Sequence, residues 1–140
     1  MHLPISHFDD LLAAARTQPE PQRLLLVFAG VELPDDASPA ERAGFAAGEG
    51  GSPVPLMCVD KTPDEIGSFA ALAQEAGEVG QPGQEWVLVF TAALSGKAGR
   101  APTTEDAGPA LDQLTEAVRM GLFSQAIAFD RRGEPVRFGD

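Results

Sequence analysis

The stretch LSGKAGRAP, residues 94–102, has the residue types and spacing that most suggest binding chemistry. It lies between an apolar run and a segment with helical periodicity, and it holds two of the ten basic residues of a chain with 21 acidic ones. Backbone N–H groups of a glycine-containing loop before a helix favour anions. The sequence therefore predicts a weak anion site formed by Ser95, Gly96, Lys97, Gly99 and Arg100. The alternative is a solvated connection in which glycine only shapes the turns.

The stretch lacks the motifs of a nucleotide site. A Walker A loop needs Gly-x-x-x-x-Gly-Lys-Ser/Thr, and here Gly96 and Lys97 are followed by Ala98. The sequence also contains no Gly-x-Gly-x-x-Gly fingerprint. A phosphate- or carboxylate-bearing ligand fits these residues better than a hydrolysed nucleotide.

Further polar residues follow the predicted strands. If the first three strands are parallel, the loops after them meet at one end of the sheet, where open α/β proteins bind ligands. Asp60 and Lys61 follow the second predicted strand, so they join the predicted ligand site. Asp35 and Asp36 follow the first.

Five residues are similar, in order, to the acidic pair, acidic residue, hydroxyl and lysine of a phospho-acceptor receiver domain. They are Asp35, Asp36, Asp60, Thr91 and Lys97. Oxygen ligands at strand ends would suit Mg²⁺. The two first aspartates lie beyond a proline, however, and such a pair is more typical of a solvated turn. No metal or cofactor is therefore predicted.

Cys58 is the only cysteine, which excludes an internal disulfide, a Cys-x-x-Cys redox pair and a cysteine-rich zinc site. A nucleophilic role would need a nearby base, and the two histidines, His2 and His7, are both N-terminal. Cys58 is therefore predicted to be buried and inert, and His7 to be a surface residue of a first helical turn.

Apolar periodicity predicts the elements that position these residues. We expect one α/β domain over residues 1–140, with a mixed sheet of about five strands flanked by helices. The predicted order is α-β-α-β-α-β-α-β-β, because the sequence ends in two alternating segments around DRRG, residues 130–133, that predict a β-hairpin. The alternative fold is an α+β two-layer sandwich.

Capping signals locate the helices. Ser6 is predicted to cap the first, and Ser38 with Glu41 forms a capping box for the second. A third helix is predicted over residues 61–77, and Pro109 is predicted to mark the first turn of a fourth.

The bulk charge excludes several functions. A formal net charge of −11 would repel nucleic-acid phosphates and anionic lipid. The apolar runs are shorter than a membrane span, and the first residues do not resemble a signal peptide. The predicted location is the cytoplasm, with no nucleic-acid or membrane partner.

Three stretches together resemble a small family of bacterial proteins often labelled "ribonucleotide reductase subunit alpha". They are ISHFDDLLAAARTQPEPQRLLLVFAG, PLMCVDKTPDE and ALSGKAGRAP, and they span most of the chain. That reductase needs a radical cysteine, a reducing cysteine pair and a large barrel, which a chain with one cysteine does not contain. The resemblance therefore implies neither the activity nor any catalytic residue.

Two functions remain from the sequence. The first is a non-enzymatic binding or adaptor domain that acts through protein contacts, with a homodimer formed at the edge of the C-terminal hairpin. The second is a small-ligand-binding protein or enzyme that uses the strand-end loops for a phosphate- or carboxylate-bearing metabolite.

Overall fold

A computed structural model describes residues 5–32, 36–46, 52–79, 85–124 and 126–136 of the chain. Five helices and five strands form this part. In chain order they are α1 (Phe8–Arg16), β1 (Gln22–Glu32), α2 (Pro39–Ala46), β2 (Ser52–Lys61), α3 (Pro63–Ile66), α4 (Phe69–Val79), β3 (Leu88–Ser95), α5 (Thr104–Arg119), β4 (Ile127–Phe129) and β5 (Pro135–Val136).

The five strands form one sheet in the order β2-β1-β3-β4-β5. The α/β class, the five strands and the C-terminal hairpin are confirmed. The predicted parallel direction of the first three strands is wrong, because every neighbouring pair of described strands is antiparallel and the sheet is not mixed. Glu32 at the end of β1 pairs with Ser52 at the start of β2, so β2 returns antiparallel to β1, with α2 between them in the chain. A parallel pair would need a crossover.

The interior strand β1 is buried on both faces, as its unbroken apolar run predicts. On one face, Leu24, Leu26 and Phe28 pack against a cluster from α1, α3 and α4. On the other face, alternate residues of β1 pack against α5. Helices therefore cover both sides of the sheet, and the alternative two-layer sandwich does not describe this molecule.

The first face has an aromatic centre. The ring of Phe8 lies 5.4 Å from that of Phe69 and 5.1 Å from that of Phe129, and Phe28 meets Trp86 edge to face at 5.1 Å. Buried aromatic side chains remove more surface from water than any other residues. This cluster joins α1, α4 and the terminal hairpin to the sheet.

The first helix begins one residue later than its predicted cap. His7, not Ser6, is the N-cap of α1, and its Nδ1 accepts a hydrogen bond from the Asp9 N–H at 3.0 Å. Its Nε2 lies 2.9 Å from the Arg132 carbonyl oxygen, to which it can donate. Ser6 instead donates to the Asp10 carboxylate. His7 is therefore partly buried between α1 and the terminal hairpin rather than a plain surface residue.

Two further helix boundaries differ from the prediction. The helix predicted over residues 61–77 is divided into α3 and α4 at Gly67, which has a φ of 75° that glycine adopts readily. The last helix begins at Thr104 because Thr103 and Asp106 form a capping box, so Pro109 lies in its second turn. The capping box of Ser38 and Glu41 is confirmed by its two reciprocal hydrogen bonds.

Candidate functional site

The antiparallel sheet still brings most of the predicted site residues to one end. β2 and β3 both run against β1, so their carboxyl ends lie beside its start, where Leu24 pairs with Lys61 and Gln22 pairs with Ser95. The carboxyl end of β1 lies at the opposite end of the sheet. Asp36 is therefore remote from the other candidates, and Asp35 lies outside the described residues.

The stretch after β3 is a tight β-hairpin, here called the basic hairpin, residues 96–100. Lys97 and Arg100 exchange two backbone hydrogen bonds, each of 3.0 Å. The two residues between them, Ala98 and Gly99, have φ angles of 53° and 77°. Positive φ at both central positions defines the turn that fits the twist of a two-residue hairpin.

Gly96 lets the basic hairpin approach the body of the protein. Its N–H donates to the Pro21 carbonyl at 2.8 Å. A Cβ atom at this position would lie 2.0 Å from the Arg100 carbonyl oxygen and 2.8 Å from that of Pro21. Both neighbours are backbone atoms, so a side chain could fit only if the hairpin moved.

Four of the five backbone N–H groups of the hairpin are already used. Those of Gly96, Lys97 and Arg100 donate to carbonyl oxygens, and that of Gly99 donates to both oxygens of the Glu20 carboxylate at 3.1 and 3.2 Å. The predicted anion site therefore depends on side chains rather than on the free backbone donors expected from the sequence.

The side chains of Lys97 and Arg100 form a cross-strand pair of like charge. Residues directly opposite each other on antiparallel strands point to the same face, and like charges in this arrangement are destabilising. Both residues are exposed. Within the part of the chain that the structure describes, neither side chain has an ion-pair partner within 4.0 Å.

The basic hairpin forms one wall of a cleft of about 520 Å³, here called the hairpin cleft. Its lining residues are Leu94, Ser95, Gly96, Lys97, Arg100, Ala101, Pro102, Thr103 and Asp106. Ligand pockets in proteins commonly have volumes of about 300–1,000 Å³. The hairpin cleft is therefore large enough for a small metabolite.

Asp106 contributes a negative charge to the same cleft. The Thr103 N–H donates to its carboxylate at 3.0 Å, and the Asp106 N–H donates to the Thr103 hydroxyl. Hydrogen bonding to Thr103, and secondarily the charge of Lys97, hold the pKa of Asp106 below its ordinary value. Asp106 is therefore ionised at neutral pH.

A second charged cluster, here called the buried ion pair, joins Arg23 to Asp60. The Arg23 Nε lies 2.5 Å from the Asp60 carboxylate, and the two side chains are only 12% and 13% exposed. Arg23 also donates to the Thr104 hydroxyl at 2.8 Å and to the Pro102 carbonyl at 3.4 Å. Thr104 in turn donates to Asp60 at 2.9 Å. These bonds connect β1, β2 and the start of α5.

The pKa of Asp60 reflects this environment. Burial alone would raise it, but hydrogen bonds from Arg23 and Thr104, together with the Arg23 charge, outweigh burial and hold the pKa below its ordinary value. Sequence reasoning missed Arg23. The sequence feature that could have indicated it is one charged residue near the start of a strand whose following residues are apolar and buried.

Asp60 and Lys61 are not among the residues that line the hairpin cleft. Asp60 belongs to the buried ion pair, and Lys61 pairs with Glu75 of α4 at 2.8 Å. The hairpin cleft is lined by four predicted residues, Ser95, Gly96, Lys97 and Arg100, while Gly99 is part of the hairpin turn. The structure thus brings part of the predicted set together, and it places the two β2 residues in ion pairs with Arg23 and Glu75.

The receiver-like arrangement is wrong for the residues that the structure describes. Thr91 is 2% exposed inside the core, and its hydroxyl has no hydrogen-bond partner among the described residues. Asp36 is at the far end of the sheet, and Asp60 is bonded to Arg23. These side chains do not face one another around a common metal position.

Cys58 is exposed on the edge strand β2, so its predicted burial is wrong. Pro53 and Pro55 lie near the start of the same strand and fit its edge position, because proline cannot donate a ladder hydrogen bond. In the described ranges, no group of three or more His, Cys, Asp or Glu residues could hold a metal ion. None of the helices described there has the length and apolarity needed to cross a bilayer.

A second cleft, of about 570 Å³, lies on the Glu20 side of the basic hairpin. Its charged groups have partners within the chain: Arg16 lies 3.6 Å from Asp64 and donates to the Pro63 carbonyl, and Glu20 accepts from Gly99. The hairpin cleft differs because, in the described ranges, its two cations have no ion-pair partner within 4.0 Å.

Comparisons of the chain with protein-family models, curated proteins and solved structures find no match. The family resemblance drawn from the three sequence stretches stays a prediction. The function must therefore be inferred from the geometry and charge of the site itself.

Proposed function

We propose that the protein is a cytoplasmic, non-enzymatic binding protein that holds the anionic group of a small ligand between Lys97 and Arg100. The observation that carries this proposal is the like-charge pair across the basic hairpin. A carboxylate or phosphate placed between the two cations would remove their mutual repulsion. The ligand would lie in the hairpin cleft.

The overall charge makes this position selective. In a chain of net charge −11, most of the surface repels anions, and two unpaired cations close together create a local positive potential. Both cations are exposed, so solvent screens them. We expect dissociation constants from millimolar to high micromolar, a binding free energy of about 4–6 kcal/mol.

The polar groups of the cleft support binding rather than catalysis. Thr103 and Asp106 are engaged in the capping box of α5, and the Ser95 hydroxyl accepts a hydrogen bond from the buried Gln22 at 3.1 Å. A nucleophilic hydroxyl would need a base that accepts its proton. Among the residues that the structure describes, no histidine lines the hairpin cleft.

Thermal unfolding in the presence of phosphate, sulfate, acetate and citrate tests the proposal. A ligand that binds only the native state raises the melting temperature. We expect a small rise for the wild type, decreasing as NaCl is added, and no rise for the Lys97→Ala, Arg100→Ala double variant. Arg119→Ala with Arg132→Ala is the matched control, because it removes two exposed arginines that already have ion-pair partners. Identical responses in all three proteins would contradict the proposal.

Exposed apolar residues favour a second candidate, a homodimer through the C-terminal hairpin. Ile127 in β4 is 37% exposed, and Met120 and Leu122 in the segment before it are 64% and 59% exposed. β5 is the last strand of the described sheet, and an unpaired edge can join another chain. Light scattering after size exclusion tests this candidate. A monomer at high micromolar concentration would contradict it, and Val136→Lys should abolish a dimer formed at this edge.

A further inference from the structure

The hairpin cleft contains charges of both signs. Lys97 and Arg100 line it from the basic hairpin, and Asp106 lines it from the first turn of α5. Leu94 and Ala101, both half-buried, add apolar surface to the same cleft. A simple anion would use the two cations but would also meet the Asp106 carboxylate.

Asp106 can accept another hydrogen bond without losing its role in the cap. Its Oδ2 accepts from the Thr103 N–H, and among the described residues its Oδ1 has no hydrogen-bond partner. A carboxylate has about four acceptor positions, so an ammonium group could bind while the cap stays intact. Lys97 and Asp106 line the same cleft, and the charge of Lys97 helps to hold the pKa of Asp106 below its ordinary value.

We propose that the ligand is a free amino acid with an apolar side chain. Its carboxylate would lie between Lys97 and Arg100, its ammonium group on Asp106, and its side chain against Leu94 and Ala101. Because opposite charges line the same cleft, the site suits a ligand whose ammonium and carboxylate groups are bonded to one carbon. This inference rests on the proposed function and specifies its ligand.

Three probes of similar shape separate the contributions of the two charges. L-Leucine carries both charged groups, 4-methylpentanoate has only the carboxylate, and 3-methylbutylamine has only the ammonium group. Binding is followed by the backbone amide shifts of residues 94–106 in the full ¹⁵N-labelled chain. We expect L-leucine to bind about threefold more tightly than 4-methylpentanoate, as one exposed ion pair would give. The amine should cause no shift. Equal or tighter binding of 4-methylpentanoate would overturn the inference.

Asp106→Asn sharpens the test because the amide oxygen can still accept from Thr103 while the charge is lost. L-Leucine should bind about threefold more weakly to this variant and 4-methylpentanoate more tightly. A general loss of structure would weaken both, so changes in opposite directions identify the charge of Asp106 as the cause. Asp112→Asn is the matched control, since Asp112 is exposed on α5 and does not line the cleft. The inference fails if both aspartate variants behave alike.

The outcomes also distinguish this inference from the proposed function. If L-leucine, 4-methylpentanoate and phosphate all leave the amides of residues 94–106 unchanged, both are wrong. If 4-methylpentanoate and phosphate bind through Lys97 and Arg100 but L-leucine has no advantage, the anion site stands and the amino-acid ligand is wrong.

Discussion

The buried ion pair and the basic hairpin lie at the same end of the sheet and use positive charge differently. Arg23 is 12% exposed and has a carboxylate, a hydroxyl and a carbonyl as partners. Lys97 and Arg100 are exposed, and within the described chain neither has an ion-pair partner within 4.0 Å, although the charge of Lys97 acts on Asp106. The arginine in β1 stabilises the fold, whereas the hairpin cations are available to a ligand.

The difference follows from the cost of removing charge from water. An enclosed guanidinium without a partner is strongly unfavourable, so burial of Arg23 requires Asp60 and the neutral acceptors around it. Exposed cations remain hydrated and can be kept unpaired at small cost. In this molecule, a charged side chain that is enclosed and hydrogen-bonded is assigned to the fold, and an exposed one without an ion-pair partner among the described residues is a candidate for ligand binding.

The largest effect is expected where a charge is enclosed. Arg23→Ala leaves the Asp60 carboxylate buried without its cation, and we expect a loss of about 3 kcal/mol in the free energy of unfolding. Arg119→Ala removes an exposed arginine that pairs with Glu116, and it should cost less than about 1 kcal/mol. Urea unfolding at neutral pH measures both. Similar losses would remove the distinction between enclosed and exposed charges.

The next effect concerns the attachment of the basic hairpin. Gly96→Ala places a Cβ against two backbone oxygens, so we expect a loss of about 2 kcal/mol and no stabilisation by anions. Gly77→Ala is the control: this helical residue has open space around its Cβ position, and alanine should stabilise α4 by about 0.5–1 kcal/mol. If Gly96→Ala unfolds like the wild type, the close approach to Pro21 does not hold the hairpin.

The buried ion pair should also make stability depend on pH. The pKa of Asp60 is lower in the folded chain than in the unfolded one, so its ionised form stabilises the fold above the unfolded value of about 3.9. This stabilisation disappears as the pH falls through the folded pKa.

Asp60→Asn tests that dependence. At pH 7 the variant should lose about 1–2 kcal/mol, because hydrogen bonds to a charged acceptor are replaced by bonds to a neutral one. The difference from the wild type should shrink below about pH 4. Urea unfolding at several pH values measures it. A difference that stays constant down to pH 2.5 would show that the Asp60 charge contributes nothing.

Local signals in the sequence predicted much of the fold but not how its charges pair. The Ser38 and Glu41 capping box and the hairpin around residues 130–133 depend on neighbouring residues, and both are confirmed. The direction of a strand depends on how β1 and β2 meet in space. The alternation of strands and helices along the sequence predicted parallel strands, which is wrong. The pairing of Arg23 with Asp60 spans 37 positions, so no local pattern indicates it.

The sequence indicated where the candidate site lies along the chain, but it did not indicate which groups of that loop could contact a ligand. Glycines and basic residues between β3 and α5 correctly indicated an unusual loop. The sequence did not show that the N–H of Gly99 is taken by Glu20, because that contact joins residues 79 positions apart. It also did not show that Lys97 and Arg100 are cross-strand partners, since this depends on the positive φ of Ala98.

The smallest expected effect tests the repulsion on which the proposed function depends. Arg100→Glu converts the like-charge pair with Lys97 into an opposite pair, and we expect a gain of about 0.5 kcal/mol in the free energy of unfolding. Arg119→Glu changes the net charge equally but replaces an attraction to Glu116 by a repulsion, so it should lose a similar amount. Both differences should shrink in 1 M NaCl because salt screens exposed charges. Urea unfolding at low and high salt compares them. A loss of stability in Arg100→Glu would mean that the two hairpin cations do not repel each other in the free protein, and the reason for an anion to bind between them would be gone.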